Sequence, residues 1–432
     1  MKRLLIAISI VSAGWISTSA KVVDCLPGSL KTLIEKPDEV AELTIRGTVN
    51  ATDLKFVADS LPALRSLDLS TCTVAEGVIS HFEASKVESI VLPCEGRIVI
   101  GDFAFASSAL KTVEIPSNVV SIGTAAFADC RALTSVSIAG ASVGESSFEN
   151  CESLATIVGA NTIEQIGNNA FEGCVSLADF DFSPVVRAIG NSAFAGCRFE
   201  SVVIPAEAPL DSVGEWVFAY NPNLKLVSLP QSIVSVGKGT FFACSALCEL
   251  TLPAACTRIE DYGMTGVAVL RHIALPGELE YIGSHAMEGM TGLATVDGSQ
   301  LTAVPALGEE VFFGVNQSMV HLNVGERYAE DFKAAEQWQE FNINVDVTNS
   351  NLSEILSNQL YGRLIDDVIY VESIGLPIDY LELYTIEGLM PVRAKVSAEQ
   401  FTVDISVFDS KIFIVRCVLA DKSIATLKLA RL

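Results

Sequence analysis

One pattern recurs ten times along this chain, once in about every 23 residues: Ile-Gly-x-x-x-Phe-x-x-Cys-x-x-Leu-x-x-Val-x-Ile-Pro. Its Gly stands at 101, 123, 144, 167, 190, 214, 237, 283 and 308, and Glu260 takes the remaining place. Four residues after each stands a Phe or Met: Phe105, Phe127, Phe148, Phe171, Phe194, Phe218, Phe241, Met264, Met287 and Phe312. A unit this short cannot enclose its own apolar side, so successive copies must stack and share one continuous core. The period and the strand-like Val-x-Ile point to a solenoid with one main strand per rung. Phe falls in the following turn and is expected to fill the core there as a buried ladder. Gly after Ile is read as permitting a tight bend. The closing Pro, as in Ile115-Pro116 and Leu229-Pro230, ends strand pairing because it has no N–H.

Stacking also accounts for the composition. Half of the 432 residues are hydrophobic, as expected when every rung contributes inward Val, Ile, Leu and Phe. The net charge of −24 repels phosphate backbones and anionic lipid, so nucleic acid is not an expected partner. Lys2 and Arg3, the apolar run Leu4 to Ile16, and Thr18-Ser19-Ala20 read as a secretory signal cleaved before Lys21. No later segment is apolar for long enough to cross a membrane, so no transmembrane segment is expected in the mature chain.

Export would normally turn eleven cysteines into disulfides. Five of them, Cys130, Cys151, Cys174, Cys197 and Cys244, share one slot, seven residues after the repeat Gly. Other copies put Ser108, Asn221, Val267, Met290 and Val315 there. A slot open to Val and Met calls for a modest apolar body, so free buried thiols are expected. Side chains in such a ladder point in parallel, which is wrong for a disulfide dihedral.

Four regions follow. Residues 1–20 are the signal. Residues 21–97 form an N-terminal cap with two longer, irregular units: a strand at 40–47, a helix over 52–60 capped by Thr52 or Asp53, and a strand at 64–69. Residues 98–347 hold the regular array, closed by an amphipathic helix over 327–338 whose Tyr328, Phe332, Ala335 and Trp338 cover the last rung. Past the polar stretch Thr348-Asn349-Ser350-Asn351, residues 352–432 read as a small β-sandwich, with strands near 368–371, 380–384, 401–404, 412–418 and 425–429. The fold class is α+β and mostly β.

Catalytic patterns are weak. Gly140-Ala141-Ser142-Val143-Gly144 matches G-x-S-x-G in letters, but Gly144 is the repeat Gly and no neighbouring rung offers His. His81, His272, His285 and His321 are scattered, and no cofactor is expected. The better candidate is the outward face of the main strands, where the residues flanking the repeat Val point away from the core. It reads Glu114, Ser135, Ser137, Thr156, Asp179, Asp181, Ser201, Ser228, Glu249, Thr251, His272 and Asp297. This stripe is small, polar and mildly acidic, without the Trp, Tyr or Arg anchors common at protein hot spots. Asp179 and Asp181 share a face, but two carboxylates fall far short of a Ca²⁺ ligand set.

Ile-Gly-x-x-Ala-Phe-x-x-Cys-x-x-Leu, nearly unbroken over 166–182 and 189–197, resembles the BspA-like leucine-rich family of bacterial surface proteins. Tyr328, Phe332, Ala335 and Trp338 are similar to that family's end helix. The tail resembles the C-terminal sorting domain of the type IX secretion system. Leu383-Tyr384-Thr385-Ile386-Glu387-Gly388 matches its strand-then-Gly turn; Val403-Asp404-Ile405-Ser406 and Ile412-Phe413-Ile414-Val415-Arg416 match its closing hairpin; Lys428 matches its basic end. Ser410-Lys411 replaces the Gly usual before the last of these strands. These resemblances imply a non-enzymatic adhesion protein at the surface of, or outside, a gram-negative bacterium, with the periplasm as the alternative location. It would bind a protein or glycan ligand and engage the export machinery through its tail. The alternative role is a structural scaffold of the cell envelope with no dedicated ligand.

Overall fold

The computed structural model describes residues 19–140, 142–210 and 212–346, and seven segments beyond: 360–365, 368–373, 377–385, 392–398, 400–405, 412–420 and 424–430. The expected signal up to residue 18 and the polar stretch 348–351 lie outside them, as do Gly388, Ser406 and Ser410-Lys411. The chain divides into two compact units, 1–347 and 348–432.

The first unit is a leucine-rich repeat fold of short parallel strands. Its main strands pair in chain order and in register: Ser66–Asp68, Ser89–Val91, Thr112–Ile115, Ser135–Ile138 and Thr156–Val158. The ladder resumes at Ser201–Val203, Leu226–Ser228 and Glu249–Thr251, and again at His272–Ala274, Thr295–Gly298 and His321–Gly325. It continues further than the repeat pattern foretells. Asn342–Asp346 adds a parallel strand after the closing helix.

Opposite these strands, each rung makes a turn around its Phe. All ten Phe and Met positions are buried. The rings from Phe105 to Phe241 stack with centroids 5.1 to 6.1 Å apart and planes within 11° of parallel. That spacing is the strand separation plus a small ring offset, the arrangement aromatic quadrupoles favour. Phe82 extends the stack by one ring at the head, although no Ile-Gly precedes it.

The repeat Gly has a different task from the one expected. Its φ is not left-handed. What requires Gly is the closeness of the previous rung: a Cβ at Gly167 would lie 2.5 Å from the carbonyl carbon of Gly144, and one at Gly190 2.5 Å from the backbone nitrogen of Asn168. The left-handed positions come two and six residues later, as at Ser146 and Asn150.

The cysteine slot also does more than expected. Cys130, Cys151, Cys174, Cys197 and Cys244 are free and buried. Each thiol donates to the Phe carbonyl of the preceding rung, as in Cys130 Sγ to Phe105 O at 3.0 Å, Cys174 Sγ to Phe148 O at 3.2 Å and Cys244 Sγ to Phe218 O at 3.1 Å. Asn221 supplies the same bond through Nδ2 to Phe194 O at 2.9 Å. The slot is therefore apolar in body with a donor at its tip. Desolvation holds these thiols protonated; Cys244 is pushed up to about 12.

Three local expectations need correction. The helix expected over 52–60 is Ala51–Ser60, and its cap is Asn50, with Asp53 in the third helical position completing a capping box. Asp53 is needed there because its buried carboxylate also accepts from Gly28 N and Leu30 N. The closing helix is shorter than the 327–338 pattern: Ala329–Ala334, a break at Ala335, then a 3₁₀ turn Trp338–Glu340. The break swings Trp338 back against Phe332 and Phe312, where its Nε1 donates to Pro305 O. Finally, residues 177–183 form no strand. Phe180 and Phe182 fill inner slots that hold Val or Ile in other rungs, and their rings meet the Phe171 and Phe194 edges. Rings of this size hold the backbone out of bonding range of its neighbours.

The second unit is an antiparallel β domain. Leu360–Ile365, Val368–Ser373 and Gln400–Asp404 form one sheet; Val392–Ala398, Ile378–Thr385, Ile412–Leu419 and Ile424–Ala430 form the other. The alternation of Leu381, Leu383, Phe413, Val415 and Cys417 places them in one core with Ile369, Val371 and Val403. Strands 360–365 and 392–398 escape a reading from apolar alternation, because Arg363, Arg393 and Lys395 interrupt it.

Candidate functional site

Parallel pairing in register turns the outward strand residues into two rows, each running through three separate sets of paired strands. In one row Thr112, Ser135 and Thr156 are register partners, as are Ser201, Leu226 and Glu249, and then His272, Thr295, His321 and Asn342. In the other, Glu114, Ser137 and Val158 align, then Val203, Ser228 and Thr251, then Ala274, Asp297, Asn323 and Asn344. The structure thus brings together Glu114, Ser135, Ser137 and Thr156; Ser201, Ser228, Glu249 and Thr251; and His272 with Asp297. None of these is buried. Asp179 and Asp181 are exposed too, but they lie on the stretch that leaves the ladder, so no register joins them to either set. Among the described residues, no three acidic, His or Cys side chains form a metal-binding group.

The face is longer than the repeat pattern indicates. Ser66, Asp68 and Ser89 continue it toward the head. Toward the other end, Asn342 Nδ2 and Asn344 Nδ2 each lie 3.1 Å from His321 Nδ1, and Asn344 Nδ2 is 3.4 Å from Asn323 Oδ1. The alternation His321-Leu322-Asn323-Val324 and Asn342-Ile343-Asn344-Val345 was the available signal for these strands. Some polar groups are already committed: Asp297 Oδ1 accepts from Ser299 N at 3.0 Å, as Asp68 Oδ1 does from Ser70 N at 2.8 Å.

A second surface, on the turn side, carries the aromatics that the strand face lacks. Trp216 packs edge to face on Phe242 at 5.3 Å, and Tyr220 on Phe242 at 5.4 Å. Tyr262 stacks on His285 at 5.2 Å. These residues occupy positions two, five and six after the repeat Gly, or after Glu260. Gly239 makes the row possible: with no Cβ it leaves the space that the Trp216 indole fills. Scanning turn positions for aromatics would have found the cluster. The G-x-S-x-G letters carry no elbow, since Ser142 lies on the short strand Ser142–Val143 and Gly144 opens an ordinary repeat turn.

The BspA type Leucine rich repeat region, in six copies, matches residues 79–199, 187–318 and 265–363, well over half of the chain. The chain belongs to the BspA type leucine-rich repeat family. Members of this family are typically bacterial surface proteins, and typically not enzymes. The solved structures similar to this BspA type chain include a leucine-rich repeat protein from Bacteroides ovatus, at 26% identity over 54% of this chain and 69% of that one, with a TM-score of 0.43. The T. pallidum leucine rich repeat protein is 25% identical over 45% of this chain and 82% of its own, with a TM-score of 0.33. The pneumococcal vaccine antigen PcpA is 17% identical over 77% and 84%, with a TM-score of 0.36. No curated protein matches this chain. Among the described residues no helix is long and apolar enough to cross a membrane.

Proposed function

We propose that this BspA type chain is a non-enzymatic exported protein whose repeats form one solenoid and present the strand face to a protein or glycan at the cell surface. The observation that carries this reading is the register. Twelve strands, in three registered sets, expose mostly small polar side chains in two rows, and no buried acid, base or nucleophile stands among them. A polar, mildly acidic strip of this kind suits an extended partner making many weak contacts. The N-terminal segment up to Ala20 serves as the export signal. The tail, residues 352–432, serves as a type IX sorting domain that passes the chain to the outer surface of a gram-negative cell.

Binding is tested by capture of matrix proteins and glycans on the immobilised chain, against the triple variant Ser137→Arg, Thr251→Arg, Asp297→Arg. Loss of most captured ligand with an unchanged melting temperature supports the strand face; equal capture by the variant rejects it. Capture of nothing by either protein would favour the envelope-scaffold role. Sorting is tested by deleting 348–432. A folded array retained in the periplasm supports the sorting role, and surface display at normal levels removes it.

A further inference from the structure

The turns form a hydrogen-bond ladder of their own, and it runs in one direction. In nine successive rungs, the N–H groups two, four and six residues after the repeat Gly, or after Glu260, donate to carbonyls of the next rung. Trp216 N reaches Lys238 O at 2.7 Å, Phe218 N reaches Thr240 O at 3.0 Å, and Tyr220 N reaches Phe242 O at 2.8 Å. The last full set is His285 N to Glu309 O, Met287 N to Val311 O and Gly289 N to Phe313 O, at 3.0, 3.0 and 2.9 Å. One rung later the series stops. The N–H groups of Glu310, Phe312 and Gly314 have no acceptor among the described residues. Every donor of the ladder points toward this end, so the aligned peptide dipoles leave it partly positive.

The cap fills only part of the missing rung. Gln337, held at a left-handed φ of 62°, lays its amide along the last turn: Nε2 donates to Gly308 O at 2.8 Å and Oε1 accepts from Val311 N at 2.9 Å. Beside it lies an open cavity of about 1230 Å³ lined by Glu310, Phe312, Phe313 and Gly314, the stretch that carries the free N–H groups. Four exposed carboxylates, Glu309, Glu310, Glu336 and Glu340, also line it, and none forms an ion pair among the described residues.

We propose that this end of the turn ladder is a peptide-binding site, taking an extended main-chain segment of a partner protein. Carbonyls of alternate residues in an extended chain face one side, so a peptide in that form offers a row of acceptors to the Glu310, Phe312 and Gly314 N–H groups. The four carboxylates select basic side chains on that segment and repel an acidic one. The site deepens the binding reading given above, and rests on it, but lies on the turns and not on the strand face.

Hydrogen exchange on the full chain tests it, with acetyl-(Lys-Val)3-amide and acetyl-(Glu-Val)3-amide as probes. In the free protein, amides 310, 312 and 314 should exchange at least about tenfold faster than 285, 287 and 289. The Lys-Val peptide at saturation should slow them about tenfold, the Glu-Val peptide should not, and E309K/E310K/E336K/E340K should abolish the effect at an unchanged melting temperature. Slow exchange of these amides in the free protein would overturn the proposal, as would equal protection by both peptides or by neither. Protection of strands 112–297 instead would overturn it and leave the strand-face reading standing.

Discussion

The strand side and the turn side of the same rungs obey different rules. The strand side has regular secondary structure, yet it breaks. Between Thr156–Val158 and Ser201–Val203, residues 178–182 make no main-chain hydrogen bond to either neighbour. The turn side is irregular by backbone angles, with two left-handed residues per rung, yet its three-bond ladder passes through the same place unbroken: Phe148 N to Ala170 O, Phe171 N to Ala193 O, Phe194 N to Val217 O. The stacked Phe rings lie inside those turns. The turns and the rings they enclose therefore hold the array together, and the strands are free to vary. The outward strand residues can drift in sequence on such a frame, because exposed side chains carry little of the stability.

Substitutions ranked by this account separate the two sides. The largest effect is expected for Phe171→Ala, which empties a site touching Phe148, Phe194 and Phe180 and should cost about 3–5 kcal/mol by denaturant unfolding. A loss below about 1 kcal/mol would deny the ring stack its role. Gly190→Ala should cost about 1–3 kcal/mol or more, because the added Cβ meets the backbone of the previous rung and a main-chain atom cannot rotate away. Asn221→Leu should cost about 1–3 kcal/mol, since Phe194 O and Phe199 N lose their buried partner.

The thiols give a pH signature. Burial raises the Cys174, Cys197 and Cys244 thiols above their ordinary 9.0, so the folded chain keeps protons that the unfolded chain releases. Their contribution is whole below pH 9.0 and declines as pH rises beyond it. Denaturant midpoints should fall above that pH, and less steeply in Cys174→Ala. Alkylation of the native protein should modify exposed Cys94 and Cys248 quickly and the nine buried cysteines only on unfolding. The smallest effect is expected on the strand side, where Ser137→Lys should stay within about 0.5 kcal/mol of the parent.

The rung and its Phe were legible because an apolar side chain every 23 residues or so can only serve a shared core. The tasks of Gly and Cys were not. Both depend on the neighbouring rung's backbone, which a one-dimensional pattern does not display. The break at Phe180 was hidden because Asp179-Phe180-Asp181-Phe182 keeps the strand alternation; ring size, not polarity, removes it from the ladder. Strand residues on the candidate face could be assigned wherever alternation is kept and pairing follows, as at Ser135 and Thr251. Asp179 and Asp181 satisfied the first condition alone. The open turn edge at Glu310 has no side-chain signature at all, since its groups belong to the main chain.

Native-state hydrogen exchange across residues 144–228 tests the central claim most directly. Amides of the turns at 146–150, 169–173 and 192–196 should exchange together and slowly, while those at 178–182 exchange far faster than the strands 135–138 and 226–228. If the turn amides at 169–173 and 192–196 instead exchange as fast as 178–182, the array divides at Phe180 and the turns do not hold it together.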